Sequence, residues 1–283
     1  MKTKKLNRPY PKWNQRQQTI FILVVALTLL VSVILGGSLL NSDRLVSNLQ
    51  FRNAPPSLEY FFGTDWLGRD MFTRTIMGLT LSIGVGAIGA ICSTTIAVFL
   101  GLVAATMGKV ADNIVTWLID LFLSVPHLVT LILIAFAFGG GLKGVVIGIA
   151  LTHWPSLARV IRSEVMQLRS AEFVQISHKM GKSRWWIAKK HIMPHLIPQI
   201  TVGILLLFPH AILHEAAVTF LGLGLSPHQP AVGIILSESM RYLSTGMWWL
   251  AFFPGICLLM IVLLFDVIGE KLRMLIDPHR AHH

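Results

Sequence analysis

An all-α membrane protein with six transmembrane helices, both termini on one side, is what this sequence predicts. Three observations carry the prediction. Of 283 residues, 54% are hydrophobic and only 13% are charged, whereas soluble domains average about 25% charged. The apolar residues gather in runs about as long as the ~20 residues a helix needs to cross the hydrocarbon core. The basic residues fall unevenly about those runs. The formal net charge of +11 would also suit a nucleic-acid partner, but its distribution argues against one and for membrane topology.

Residues 1–16 hold Lys2, Lys4, Lys5, Arg8, Lys12 and Arg16 with no acid, and read as a cytoplasmic tail. Residues 17–40 are the first span, almost wholly apolar from Thr19 to Leu40. No small-residue cleavage site follows, so this run reads as a retained helix rather than a signal peptide. Residues 41–78 are mixed and polar and read as an external segment. Residues 79–270 then supply a five-helix core. Its first helix, about Leu79 to Met107, is rich in Gly84, Gly86, Gly89, Ala90 and Gly101, small residues that let membrane helices approach closely. Met107-Gly108-Lys109 is a tight turn, and Asp112 is placed to cap a helix running to about Phe138. Gly139-Gly140-Gly141 breaks the chain. The next helix, from about Lys143 to Ala158, continues into a basic stretch. Further spans run from Pro198 to about Leu221 and from about Met247 to Gly269, separated by an external loop with Arg241. Residues 271–283 form a short basic cytoplasmic tail. Cys92 and Cys257 sit in apolar runs and offer no disulfide framework.

The basic count tests the orientation. The N-terminal tail carries six Lys and Arg, the turn one, the Arg159–His195 stretch eight and the C-terminal tail three; the other side has six. The positive-inside rule therefore puts both termini and the basic stretch in the cytoplasm.

That stretch opposes its eight basic residues with only Glu164 and Glu172. It reads as a helix from Glu172 to Met180, a turn at Gly181, and a basic-aromatic helix ending in His191-Ile192-Met193-Pro194. Gly181 suits the backbone of a tight turn. Pro194 and Pro198 are expected to stop the second piece and start the next span. A helix-turn-helix held just outside a membrane is a rigid handle that a cytosolic partner can push.

Glu172-Phe173-Val174, then Gly181, nine residues, and His191 to Pro194 resemble the EAA loop of binding-protein-dependent ABC importer permeases. The chain departs from that loop at Ile176 and Ser177, where paired alanines are usual. Phe62 to Arg74, FGTDWLGRDMFTR, resembles the signature of the dipeptide, oligopeptide and nickel branch. Within it Asp65, Arg69, Asp70 and Arg74 have helix-compatible spacing, so local ion pairs are expected to order the external segment, with Gly68 among them.

Ionisable residues inside the membrane are costly and are functional candidates by default. Here they are Asp120, His127, His153, His210, His214, Glu215 and Asp266. Asp120 and Asp266 read as structural. His210 and His214 are four apart and share a helix face, and Pro209 can free a carbonyl beside them. Imidazole suits nickel, copper, zinc and cobalt, and a weak pair fits transient relay better than tight binding does. The pair could equally hydrogen-bond across a helix interface. Glu215 joins it as a pathway candidate. His210 to Gly224 and Thr152-His153-Trp154 resemble the inner-membrane subunit of nickel permeases.

The resemblance implies a type I ABC importer permease fold in the bacterial inner membrane. It implies a second permease subunit, two cytosolic ATPases that use ATP, and an external solute-binding protein, with lipid around the helices. Glu172, Phe173, Gly181, His191 and Pro194 would couple to the ATPases. The cargo it implies is nickel or another transition metal, as a chelate, with di- or oligopeptides as the alternative. No cofactor is expected on this chain. Gly181-Lys182-Ser183 ends like a P-loop, but Ile176 stands where the earlier glycine is required. His214-Glu215 opens like a zinc-protease motif, but Val218 stands in place of the second histidine. The chain therefore reads as a transport subunit rather than an enzyme. A channel or ion-coupled carrier would explain the spans and the histidines but not the handle.

Overall fold

Apolar length decides the architecture. The computed structural model describes residues 15–276; most of the basic N-terminal tail and of the C-terminal tail lies outside the described residues. Among the described residues there is no named strand, and five helical runs are long and apolar enough to cross a membrane. They are α1 (Gln15–Leu39), α2 (Met71–Thr106), the run of α5 (Gly141–Thr152) and α6 (Trp154–Arg169), the run from Arg184 that ends in α9 (Met193–Phe220), and α11 (Trp249–Ile276). A bent pair, α3 (Lys109–Ser124) and α4 (His127–Ala137), which meet at 100°, makes the sixth span when the two are counted as one.

This bend corrects the expectation of one helix from Asp112 to Phe138. Pro126 disfavours helical geometry in the residue before it, and Val125 is accordingly extended at φ −95° and ψ 140°. Asp112 does not cap α3 either. Gly108 occupies that position, and the Asp112 carboxylate receives both Nε and Nη2 of Arg162, the latter at 2.8 Å, tying α3 to α6.

Helix α2 is the central post. A Cβ at Gly86 would lie 2.7 Å from Ile212 Cγ1, at Gly89 2.6 Å from Ile149 Cγ2, and at Gly101 2.8 Å from Ile161 Cγ2. These glycines admit α9, α5 and α6 to close packing, which holds membrane helices together where lipid is as apolar as the core. One buried cluster, with Leu102, Trp154, Ile161, Val174, Ile187 and Leu196, joins the cytoplasmic ends of these helices. A second, with Leu79, Ile212, Val232 and Phe265, fills the space toward α11.

Three further differences from the sequence reading have local causes. Helix α2 starts at Met71 rather than near Leu79, because Asp70 caps it by accepting from Thr73 N at 3.0 Å. The expected loop around Arg241 contains α10 (Val232–Leu243), whose Val232, Ile234, Ile235 and Ser239 are buried. Pro194 and Pro198 do not separate the handle from the next span. A π turn at Ala188–Ile192 joins the handle's last helix to α9, with Met193 N bonded to Ala188 O. Pro194 then falls in the first turn of α9, where a missing N–H costs little. Pro198 lies inside that helix, as proline does in membrane helices whose neighbours compensate.

Candidate functional site

The cytoplasmic handle is α7 (Glu172–Lys179), a turn, and α8 (Arg184–Ile187). Gly181 makes the turn at φ +78°. A Cβ there would meet nothing within 4 Å, so the left-handed backbone, not space, selects glycine. Ser183 caps α8 by accepting from Trp186 N at 3.2 Å. Arg169 donates to Ala105 O, and Arg184 Nη1 to Thr106 O at 3.5 Å. Both cations thus sit at the C-terminus of α2, the negative end of its dipole. The inner face of the handle, Val174, Ile187 and Ile192, is buried in the core. Its outer face exposes Phe173, Ile176, Met180 and Trp185, an apolar patch of the kind that marks a protein contact.

Of the predicted coupling residues, Glu172, Phe173, Gly181 and Pro194 are exposed and His191 is half-buried. Glu172 opens α7 and is exposed. Phe173 stacks on His195, centroids 5.3 Å apart and planes 20° off parallel. Ser177, one of the two departures from the usual alanines, donates to Phe173 O at 2.9 Å and lies 3.1 Å from His191 Nε2. Its single proton is committed to the carbonyl, so His191 is the donor across the second contact. That bond links α7 to the π turn.

On the opposite side, the predicted external residues form a knot around Asp65. One carboxylate oxygen accepts from Leu67 N at 2.8 Å and Arg69 N at 2.9 Å; the other accepts from Arg69 Nε and Arg74 Nη1, both at 2.7 Å. The pairing is not helical as expected. Gly68 turns the chain at φ +75°, and a Cβ there would fall 1.8 Å from Asn48 O. Among the described residues Asp70 pairs with no arginine; it serves Thr73 as a cap. Sequence reasoning missed Glu238 of α10, whose Oε2 accepts from Arg74 at 2.9 Å. A lone acid beside Arg241, in a stretch read as loop, gave no signal of it. A cavity of about 330 Å³ opens beside this knot, lined by Trp66, Thr219, Leu225, Glu238, Arg241 and Tyr242.

Midway along α2 lies a third polar group. His127 opens α4, His153 joins α5 to α6, and His214 lies on α9. Each presents one ring nitrogen within 4.8 Å of the others. His153 Nε2 and His214 Nδ1 are 3.0 Å apart. The predicted partner of His214, His210, is exposed and outside this group. Tertiary packing turns His214 toward two other helices instead. Glu215 is completely buried and accepts from Thr219 Oγ1 at 2.9 Å. Asp120 pairs with Arg159 at 2.7 Å on an exposed face.

Comparison with known proteins gives this geometry its setting. Residues 97–276 match the family described as binding-protein-dependent transport system inner membrane component. The dipeptide transport system permease protein DppC of Bacillus subtilis is 32% identical, over 90% of this chain and 80% of its own length. The DppC protein of Alkalihalophilus pseudofirmus is 34% identical over 90% and 84%, and the oligopeptide permease OppC of B. subtilis 33% over 90% and 84%. Among solved structures, an inward-facing MetNI methionine ABC transporter chain superposes with a TM-score of 0.60 over 73% of this chain and 98% of its own, at 14% identity. That likeness establishes the type I importer permease fold. With the cytoplasmic handle, the external knot and the membrane helices, these matches place the chain in the family of inner-membrane permease components of binding-protein-dependent ABC importers.

Proposed function

We propose that the cargo of this importer subunit is a di- or oligopeptide. The observation that carries this reading is the agreement of relatives more than 30% identical over 90% of the chain, whose names specify dipeptides and oligopeptides. They favour the alternative drawn from the sequence over nickel. The external cavity supports it, since Glu238 and Arg241 offer opposite charges beside apolar walls, a lining suited to a zwitterion with side chains. A transition metal as cargo is the second reading, favoured by the convergence of His127, His153 and His214.

The chain works with a second permease subunit, cytosolic ATPases and a solute-binding protein. ATP is consumed by the ATPases. Their closure presses on the exposed face of the handle, and Glu172, Phe173, Gly181, His191 and Pro194 transmit the displacement. Arg169 and Arg184 carry it to α2, and the helices rock between inward- and outward-open states. Only contacts that differ between the two states can drive that exchange.

Isotope uptake in cells carrying the whole transporter, with and without this chain, tests the cargo. Loss of labelled dipeptide uptake with nickel uptake unchanged is the expected result. Loss of nickel uptake alone replaces the peptide reading with the metal reading.

A further inference from the structure

We infer that His127, His153 and His214 form a binding site for a late first-row divalent transition metal ion at mid-depth in the membrane domain. Three segments far apart in sequence bring one imidazole each to the same point. Their depth follows from packing: Ile149, four residues before His153, lies against Gly89, and Ile212, two before His214, against Gly86. Polar groups at that depth carry a cost that structure alone does not require.

The hydrogen bonds prepare the nitrogens for a ligand role. His153 Nδ1 is 3.1 Å from Ile149 O and 3.2 Å from Thr152 Oγ1. The carbonyl can only accept, and the Thr152 hydroxyl already donates to Gly148 O at 2.8 Å. The proton of His153 is therefore on Nδ1, and Nε2 carries the lone pair. A backbone carbonyl holding the remote nitrogen of an imidazole is the usual support of a metal-binding histidine. His214 Nδ1 faces that lone pair at 3.0 Å, so in the metal-free state it must donate its own proton. Moving that proton to Nε2 frees a second lone pair toward the same point. The third ring supplies an independent sign: His127 Nδ1 is buried and makes no hydrogen bond among the described residues. It is a polar atom lacking the partner that buried polar atoms normally have.

The donor set selects the ion. Three neutral imidazoles with no carboxylate in the group disfavour magnesium and calcium, which take oxygen, and suit nickel, copper, cobalt or zinc. Bound there, the ion would clamp α4, the α5–α6 junction and α9 together. Binding at this cluster does not depend on which cargo is carried.

The test is equilibrium dialysis of the assembled transporter in lipid nanodiscs against nickel(II), with magnesium as control and metal content read by mass spectrometry. All samples carry alanine at His279, His282 and His283, which removes the C-terminal histidines as ligands. The expected result is nickel bound with its affinity lowered at least tenfold by His153→Ala and by His127→Gln, and unchanged by His210→Ala. His127→Gln keeps the ring's approximate size and decides the matter if His153→Ala fails to assemble. No nickel bound by the parent, or equal affinity in the parent and His127→Gln, overturns the proposal. Dipeptide uptake measured on the same variants separates the two readings: lost nickel binding with uptake retained leaves the peptide cargo standing.

Discussion

Arg74→Met asks whether the external knot hangs on one buried cation. The Arg74 side chain is 3% exposed and that of Asp65 5%. Arg74 Nη1 serves Asp65 at 2.7 Å and Glu238 at 2.9 Å. Removing one partner of a buried ion pair costs about 3–5 kcal/mol, because the other charge stays buried and uncompensated. Here Asp65 keeps Arg69 Nε at 2.7 Å, so the loss should sit near the lower end, about 3 kcal/mol. Glu238 is 26% exposed at its side chain. Water screens it, and Glu238→Gln should cost about 1 kcal/mol or less. The assay is denaturant unfolding of the purified transporter, followed by proteolysis of the 41–70 segment. A double-mutant cycle should give strong coupling between Arg74 and Asp65 and weak coupling between Arg74 and Glu238. Equal losses for Arg74→Met and Glu238→Gln, or an Arg74→Met loss under about 1 kcal/mol, would refute the reasoning.

Gly181→Val should cut uptake severely while the chain still inserts, since φ +78° strains a β-branched residue but no neighbour is struck; unchanged uptake removes the turn from the coupling mechanism. Ser177→Ala deletes the acceptor for His191 and should cost about 1 kcal/mol, lowering ATP-coupled transport more than membrane abundance in a paired uptake and immunoblot measurement. Gly101→Val must displace Ile161 and approach Ala158 O, whereas a Cβ at Gly84 meets nothing within 4 Å. The first should therefore destabilise by about 1–3 kcal/mol and the second hardly at all, as read by thermal unfolding of the two variants.

What was legible in the sequence is what depends on local composition. The spans, the cytoplasmic handle and the turn at Gly181 follow from apolar length, positive charge and one glycine. What was not legible depends on which face meets which neighbour. The spacing of His210 and His214 puts both on one face, yet a helix has no means of announcing what packs on that face. His127 and His153 arrive from other helices, and only the bend at Pro126 and the junction at His153 deliver them. Glu238 escaped for the same reason: its partner Arg74 lies 164 residues away. Even the knot around Asp65, expected as a set of local ion pairs, is built on a glycine turn and a cap rather than on a helix face.

The prolines show how far such reading can go. Pro126, Pro194, Pro198, Pro209 and Pro254 carry the same chemical deficit, a missing N–H and a restricted predecessor. Only Pro126 breaks the helix outright, at 100°. Pro198, Pro209 and Pro254 lie inside long helices, and Pro194 opens one. What separates them is context. A π turn immediately precedes Pro194 and absorbs the mismatch before the proline is reached. Val125 ahead of Pro126 has no such adjustment, and goes extended. The break carries His127 to within 4.4 Å of the His153 ring, centroid to centroid. A straight helix through residue 126 would carry that imidazole elsewhere. The bend that the sequence reading missed and the cluster it missed are thus one feature, and the residue that makes it, Pro126, was visible all along.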